Sequence, residues 1–366
     1  MSQFWSPLVR DLTPYVPGEQ PRIANLIKLN TNENPYGPSP RVLAAVREQT
    51  DDRLRLYPDP DALALKQAIG AYHGLSSAEV FVSNSSDDVL GHAFQAFFVQ
   101  DLPILAADIT YGFYPSYCRL YGIDMITVPL DEQLRIRVAD YAQPCGGVVL
   151  ANPNAPTGIA LPLAQVEQII ASQPQRVVLV DEAYVDFGAE SAASLVARYP
   201  NLLVVQTFSK SRSLAGLRVA FALGQPALIE ALERVKNSFN AYPLDRLAIA
   251  GALAAIEDEE YFQSRRAMVI ATREQLALQL AGLGFEVLPS MTNFLFVRHP
   301  GQDAPELAAA LRARAILVRH FRLPRIDQYL RTSIGTDEEC AVLVAALAEI
   351  LTKSQPLDSD HPAPPL

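Results

Sequence analysis

Apolar residues in this chain fall into short uninterrupted runs, each closed by polar or turn-forming residues. Val80-Phe81-Val82, Val148-Val149-Leu150-Ala151, Val177-Val178-Leu179-Val180 and Leu202-Leu203-Val204-Val205 read as short buried strands. Between them, apolar spacing over residues 161–171, and at Val89, Leu90, Ala93, Phe94, Ala96 and Phe97, predicts helices. Runs and helical patterns alternate from about residue 41 to 245. That order predicts an α/β fold, a mostly parallel central sheet with helices on both faces.

The pattern changes outside those limits. Residues 1–40 are rich in Pro and Asn with little periodicity, and read as an arm lying over the fold. After Asn240-Ala241-Tyr242-Pro243-Leu244, a helical stretch over 247–280, interrupted near Asp258, is expected to link two domains. Strands at Phe285-Glu286-Val287-Leu288, Asn293-Phe294-Leu295-Phe296-Val297, Ile316-Leu317-Val318 and Leu330-Arg331-Thr332-Ser333-Ile334, with helices over 305–314 and 337–351, predict a smaller α+β domain over 246–353. Four prolines between 354 and 366 predict a disordered tail.

The ends of the buried runs carry chemistry. Ligands of open α/β sheets collect beyond the carboxyl ends of the strands. Lys210, one of five lysines, follows the run at 202–205; Asp181 closes the run at 177–180; and Asn152-Pro153-Asn154-Ala155-Pro156-Thr157-Gly158 ends the run at 148–151. An amine, a carboxylate and an amide are therefore brought to one edge. Arg218 follows Leu214-Ala215-Gly216-Leu217, where a guanidinium suits a phosphate. Ser83-Asn84-Ser85-Ser86-Asp87-Asp88 precedes a helix whose first N–H groups lack partners. Ser86 and Asp87 either cap that helix or hold an anion there, and one turn can do both. Pyridoxal phosphate asks for this set: an amine for its aldehyde, an acid for its ring nitrogen and donors for its phosphate. Asp181 suits the ring nitrogen, and Tyr184 could donate to the ring hydroxyl oxygen.

These strings, with Leu12-Thr13-Pro14-Tyr15, Leu29-Asn30-Thr31-Asn32-Glu33-Asn34-Pro35-Tyr36-Gly37-Pro38 and Tyr57-Pro58-Asp59, make nearly the whole chain resemble a type I pyridoxal-phosphate enzyme. Most closely it resembles the histidinol-phosphate aminotransferase family. The resemblance implies Lys210 as the Schiff-base lysine, Asp181 as the ring-nitrogen partner and Tyr184 as the ring-oxygen donor. It implies Ser209 and Arg218 as phosphate ligands with Ser86 and Asp87, and Tyr111 as an aromatic against the ring. Without it, Tyr111 reads equally as a core residue. Arg331 resembles the arginine for the substrate anion, Arg319 its companion for a substrate phosphate, and Tyr15 an arm tyrosine that reaches that phosphate. Tyr57 resembles a tyrosine given across a homodimer interface, so that each site is shared. The implied substrates are histidinol phosphate and glutamate with 2-oxoglutarate, in histidine biosynthesis. The chain departs from the family at Ala155, where the family has an asparagine that bonds the ring oxygen. Asn154, Asn152 or Tyr184 alone is left for that contact. Ser85 stands where the family commonly has glycine, and Asp88 where it has glutamate.

Composition narrows the alternatives. At 366 residues the chain has length for two domains. A formal charge of −10 argues against general nucleic-acid or anionic-membrane binding. No apolar stretch approaches a membrane span, and the first residues lack a basic segment followed by an apolar one. Cys118, Cys145 and Cys340 are odd in number and far apart, predicting no disulfide framework and a reducing, cytoplasmic setting. The five histidines show no metal-ligand spacing, so no metal is expected. An aromatic amino-acid aminotransferase, an amino-acid phosphate decarboxylase and a non-catalytic pyridoxal-phosphate-binding regulator stay open as other readings. The regulator would need a basic DNA-binding module, and none precedes the arm.

Overall fold

The computed structural model describes residues 2–354, so the tail expected from 354 onward lies almost wholly outside the described residues. Thirteen strands are described: β1 (Ile27–Lys28), β2 (Val80–Asn84), β3 (Ile104–Ala107), β4 (Met125–Val128), β5 (Gly147–Ala151), β6 (Val178–Asp181), β7 (Leu202–Thr207), β8 (Val219–Gly224), β9 (Glu286–Val287), β10 (Phe294–Arg298), β11 (Ile316–Leu317), β12 (Arg319–His320) and β13 (Leu330–Ser333). Seven form one sheet in the order β2-β8-β7-β6-β5-β3-β4. The β7-β6-β5-β3-β4 pairs are all parallel, and β8 runs antiparallel to both β2 and β7.

Alternation along these strands explains why their runs are apolar throughout. Val148, Leu150, Val178, Val180, Leu202 and Val204 pack in one cluster, whereas Val149, Ala151, Leu179, Leu203 and Val205 pack in another with Phe94, Tyr114 and Tyr117. Successive side chains point to opposite faces, so both faces are covered and no position along the run faces water. The same alternation puts Asp181 on the Leu179 face, beside Tyr114, at the carboxyl end of β6.

A second sheet, β12-β13-β10-β9, is antiparallel. Its apolar face packs with the helices Glu259–Gly282, Ala304–Arg312 and Asp337–Ser354 through residues such as Leu276, Leu307 and Leu343. The helical stretch expected over 247–280 is two helices, Arg246–Glu257 and Glu259–Gly282, meeting at Asp258. The arm is more structured than its composition suggests. It holds the short helix Pro7–Asp11, and β1 pairs in parallel with β11, burying Leu29 among the residues of the smaller sheet.

Candidate active site

The strands β5, β6 and β7 end side by side, and the loops beyond them frame a cleft of about 480 Å³. Ala151, Pro153, Ala155, Asp181, Ala183, Tyr184, Thr207, Ser209, Lys210 and Arg218 line it from the sheet. Ser86, Asp87 and Tyr111 come from the other loops, and Gln20, Thr31 and Glu33 from the arm. Phe208, buried against the sheet, anchors the turn between β7 and Lys210. Lys210 Nζ donates to the Thr31 carbonyl at 3.2 Å.

Asp181 is buried at the end of β6. Its carboxylate accepts from the Tyr114 hydroxyl at 2.8 Å and from the Ala183 N–H at 3.2 Å. Burial pushes its pKa up to about 6 against these two hydrogen bonds, because no cation pairs with it among the described residues to offset the lost hydration. Its neighbour Glu182 points the other way. There it is held by Ser191, the Ala192 N–H and Gln206, and burial raises it to about 7.

The helix Ser85–Ala93 starts at the cleft edge, with Ser85 in the left-handed region at φ 77°. The Asp87 carboxylate accepts from the Tyr111 hydroxyl at 2.9 Å and lies 3.3 Å from Arg218 Nη2. Arg218 itself sits at φ 56° and also donates to the Ala215 carbonyl. Tyr184 follows Asp181 by three residues and packs edge-on against Phe294 of β10. Its hydroxyl accepts from Asn32 Nδ2 at 3.0 Å.

Eight of the residues singled out from sequence thus share one cleft: Ser86, Asp87, Tyr111, Asp181, Tyr184, Ser209, Lys210 and Arg218. Five lie elsewhere. Asn154 is buried away from the cleft; its amide donates to the Ile109 carbonyl and to Thr157, and accepts from Thr110. Its hydrogen-bonding capacity is taken up in shaping its own loop, so it does not replace the donor absent at Ala155. Tyr57 is 80 % exposed and stacks on Tyr242. Tyr15 packs beside Tyr111 and Phe113. Arg319 and Arg331 face each other across β12 and β13 and both lie against the Phe321 ring, beside the cleft rather than in its wall. Arg331 donates to the Asn30 carbonyl, while its Nε is buried without a partner. Sequence reading assigned no role to Thr31, Asn32, Glu33 or Tyr114. The arm strings that hold the first three lack periodicity, and Tyr114 gives no signal until the fold sets it beside Asp181.

Comparison with known proteins decides the family. The profile described as "Aminotransferase class I and II" matches residues 24–347. A histidinol-phosphate aminotransferase of Aromatoleum aromaticum is 64% identical over 355 residues, spanning 96% of this chain and 100% of the relative. The chain belongs to the histidinol-phosphate aminotransferase family. Another member, from Methylococcus capsulatus, is 63% identical over 351 residues, covering 96% of this chain and 98% of its own length. The crystal structure of histidinol-phosphate aminotransferase from Sinorhizobium meliloti in complex with pyridoxal-5'-phosphate superposes with a TM-score of 0.86 at 26% identity, over 96% of this chain and 99% of that one. An aspartate aminotransferase from Thermus thermophilus with maleate, at 20% identity and a TM-score of 0.76 over 89% and 91% of the two chains, shares the fold. The α/β architecture expected from the apolar runs is that of these aminotransferases, and the chain is a transaminase.

Proposed function

We propose that this aminotransferase exchanges an amino group between histidinol phosphate and 2-oxoglutarate, with pyridoxal phosphate held through Lys210. The cleft residues fit that group. Asp181 is a buried carboxylate with no cationic partner among the described residues, and a protonated ring nitrogen would supply one. Near it are an amine at Lys210, a phenol at Tyr184, and the start of the helix Ser85–Ala93 beside a guanidinium, which suits a phosphate. When bound, the group supplies an electron sink that lets the substrate's amine-bearing carbon release a proton.

The chain's own residues do the rest. Asp181 keeps the ring nitrogen protonated, and Tyr184 donates to the ring oxygen. Ser209, Arg218 and the backbone N–H groups at Ser86 and Asp87 hold the phosphate, with Tyr111 against the ring. Lys210 Nζ would act as the general base that takes the proton from that carbon and as the general acid that gives it back when the exchange runs in reverse.

The observation that favours a phosphorylated substrate is the arginine pair. Arg319 and Arg331 are cross-strand neighbours, and among the described residues neither has a carboxylate partner. Burial, with Arg319 adding to it, holds the Arg331 pKa below its ordinary value. Two uncompensated guanidiniums side by side favour a dianion over a single carboxylate. Tyr15, on the arm, would complete this pocket.

The reading extends to assembly. Leu54, Leu56, Tyr57 and Tyr242 are exposed apolar residues, which suits burial in a homodimer that lends Tyr57 to the partner's phosphate site. An arm over 1–40, a cofactor domain over 41–245 and a small domain over 246–353 complete the proposal, with a cytoplasmic setting. No helix among the described residues is long and apolar enough to cross a membrane. A panel of amines offered to cofactor-loaded protein tests the substrate. Turnover of histidinol phosphate far above that of histidinol and aromatic amino acids is expected; preference for an aromatic amino acid would overturn it.

A further inference from the structure

Asn32 is 1 % exposed, sits in the left-handed region at φ 58°, and is tied down from three directions. Its carbonyl accepts from Asn293 Nδ2 at 2.9 Å, its N–H donates to Ser333 Oγ at 2.8 Å, and its Oδ1 accepts from the same hydroxyl at 2.9 Å. Because Ser333 Oγ accepts from the Asn32 backbone, its own hydrogen is free for Oδ1. The oxygen end of the amide therefore faces Ser333 on β13, and the amino end faces Tyr184. Nδ2 donates to the Tyr184 hydroxyl at 3.0 Å, the sole hydrogen bond that hydroxyl makes among the described residues.

This geometry fixes which way the phenol can act. A tyrosine hydroxyl has one hydrogen, and with Asn32 occupying an acceptor position that hydrogen is left to point elsewhere. Tyr184 lines the cleft. Had Asn32 presented its oxygen, the phenol would donate to the amide and have nothing to offer a ligand. The need is sharper here because the wall residue Ala155 has no donor and the Asn154 amide is used within its loop.

We propose that Asn32 is a positioning residue that holds Tyr184 as a hydrogen-bond donor to the cofactor's ring oxygen, with Ser333 of β13 setting the orientation of the amide. The proposal rests on the reading of Tyr184 given above. It makes the arm and the second sheet part of the device that tunes the cofactor, since residues 32, 293 and 333 come from both.

The pH midpoint of the bound cofactor's absorbance tests it. A donor to the ring oxygen stabilises negative charge there, which is greatest after the proton shared with Lys210 Nζ has left, so losing the donor raises the midpoint. Tyr184→Phe should shift it upward by about one pH unit, the scale of one charge-assisted hydrogen bond. Asn32→Gly keeps the left-handed backbone and adds no charge; it should shift the midpoint in the same direction. In the Tyr184→Phe background Asn32→Gly should add nothing, because the relay has lost its second member. Should Asn32→Gly fail to fold, Ser333→Ala takes its place, with a smaller upward shift expected that also vanishes when the phenol is absent. A wild-type midpoint in the Asn32 or Ser333 variant while Tyr184→Phe shifts, or full additivity in the double variant, overturns the proposal. An unmoved midpoint in Tyr184→Phe overturns the reading of Tyr184 itself, a separate failure visible in the single variant.

Discussion

Asp181 shows how much one residue's surroundings decide. The sequence placed it at the end of a buried run, and the fold adds what the sequence could not: a phenol from Tyr114 and, among the described residues, no cation. A carboxyl whose pKa rises on folding binds its proton more tightly when folded, so its contribution to stability is present below its ordinary value of 3.8 and is lost as pH rises through about 6. Glu182 behaves likewise, between 4.5 and about 7. The cofactor-free protein should therefore be less stable at pH 8 than at pH 5, and Asp181→Asn should narrow that gap by about 1 kcal/mol, because more than half of the roughly 3 kcal/mol that a shift of about two pH units represents is already lost at pH 5. Urea titrations at both pH values measure it, and an equal gap in the variant would show that Asp181 ionises without cost. The same substitution should remove most turnover while cofactor still binds, because an amide cannot keep a ring nitrogen protonated; near-normal turnover would count against the role. Arg319→Ala should raise KM for histidinol phosphate by about tenfold to a hundredfold and leave that for unphosphorylated histidinol nearly unchanged, as loss of one charge-assisted contact implies. Equal effects on both substrates would make Arg319 structural.

Sequence reading recovered strands at β2, β5, β6, β7, β9, β10, β11 and β13, together with the two helices meeting at Asp258, and the central ones among them are those whose burial leaves an apolar run. It passed over β1, β3, β4, β8 and β12. Ile126 and Thr127 of β4 are exposed at the sheet edge, so its run is broken by polarity, and Val219–Gly224 begins directly after the site arginine, with no turn residue between them to mark its start. The antiparallel direction of β8 could not be read at all, since direction depends on where the chain returns. One element carries a legible strain. Ser85, flagged as an unusual replacement for glycine, opens its helix at φ 77°, a region that costs an L-residue roughly 1–2 kcal/mol. Glycine removes that cost but has more backbone freedom to lose on folding, so Ser85→Gly should stabilise the protein by about 0.5–1 kcal/mol. Denaturant midpoints will read the change. A destabilised variant would mean that the buried serine side chain contributes more than its backbone costs.

At the scale of the whole molecule, the cleft gathers residues from positions 20 to 218, yet Tyr57 remains outside it on an exposed face. The resemblance gave Tyr57 a role in a site, and Tyr57 is not among the residues that line the cleft of its own chain. The proposed homodimer would resolve the conflict, because a two-fold interface that buried Leu54, Leu56 and Tyr242 would bring Tyr57 to the partner. Complementation distinguishes a shared site from a self-contained one. Chains carrying Lys210→Ala are expected to be inactive, and chains carrying Tyr57→Ala to be weak when cofactor is limiting. After the two are unfolded together and refolded, half of the dimers are mixed. In each mixed dimer the chain with an intact Lys210 receives an intact Tyr57 from its partner. One of its two sites is then wild type, so about a quarter of all sites should recover cofactor affinity and turnover. If Tyr57 served the cleft of its own chain, every site would keep one defect and mixing would restore nothing.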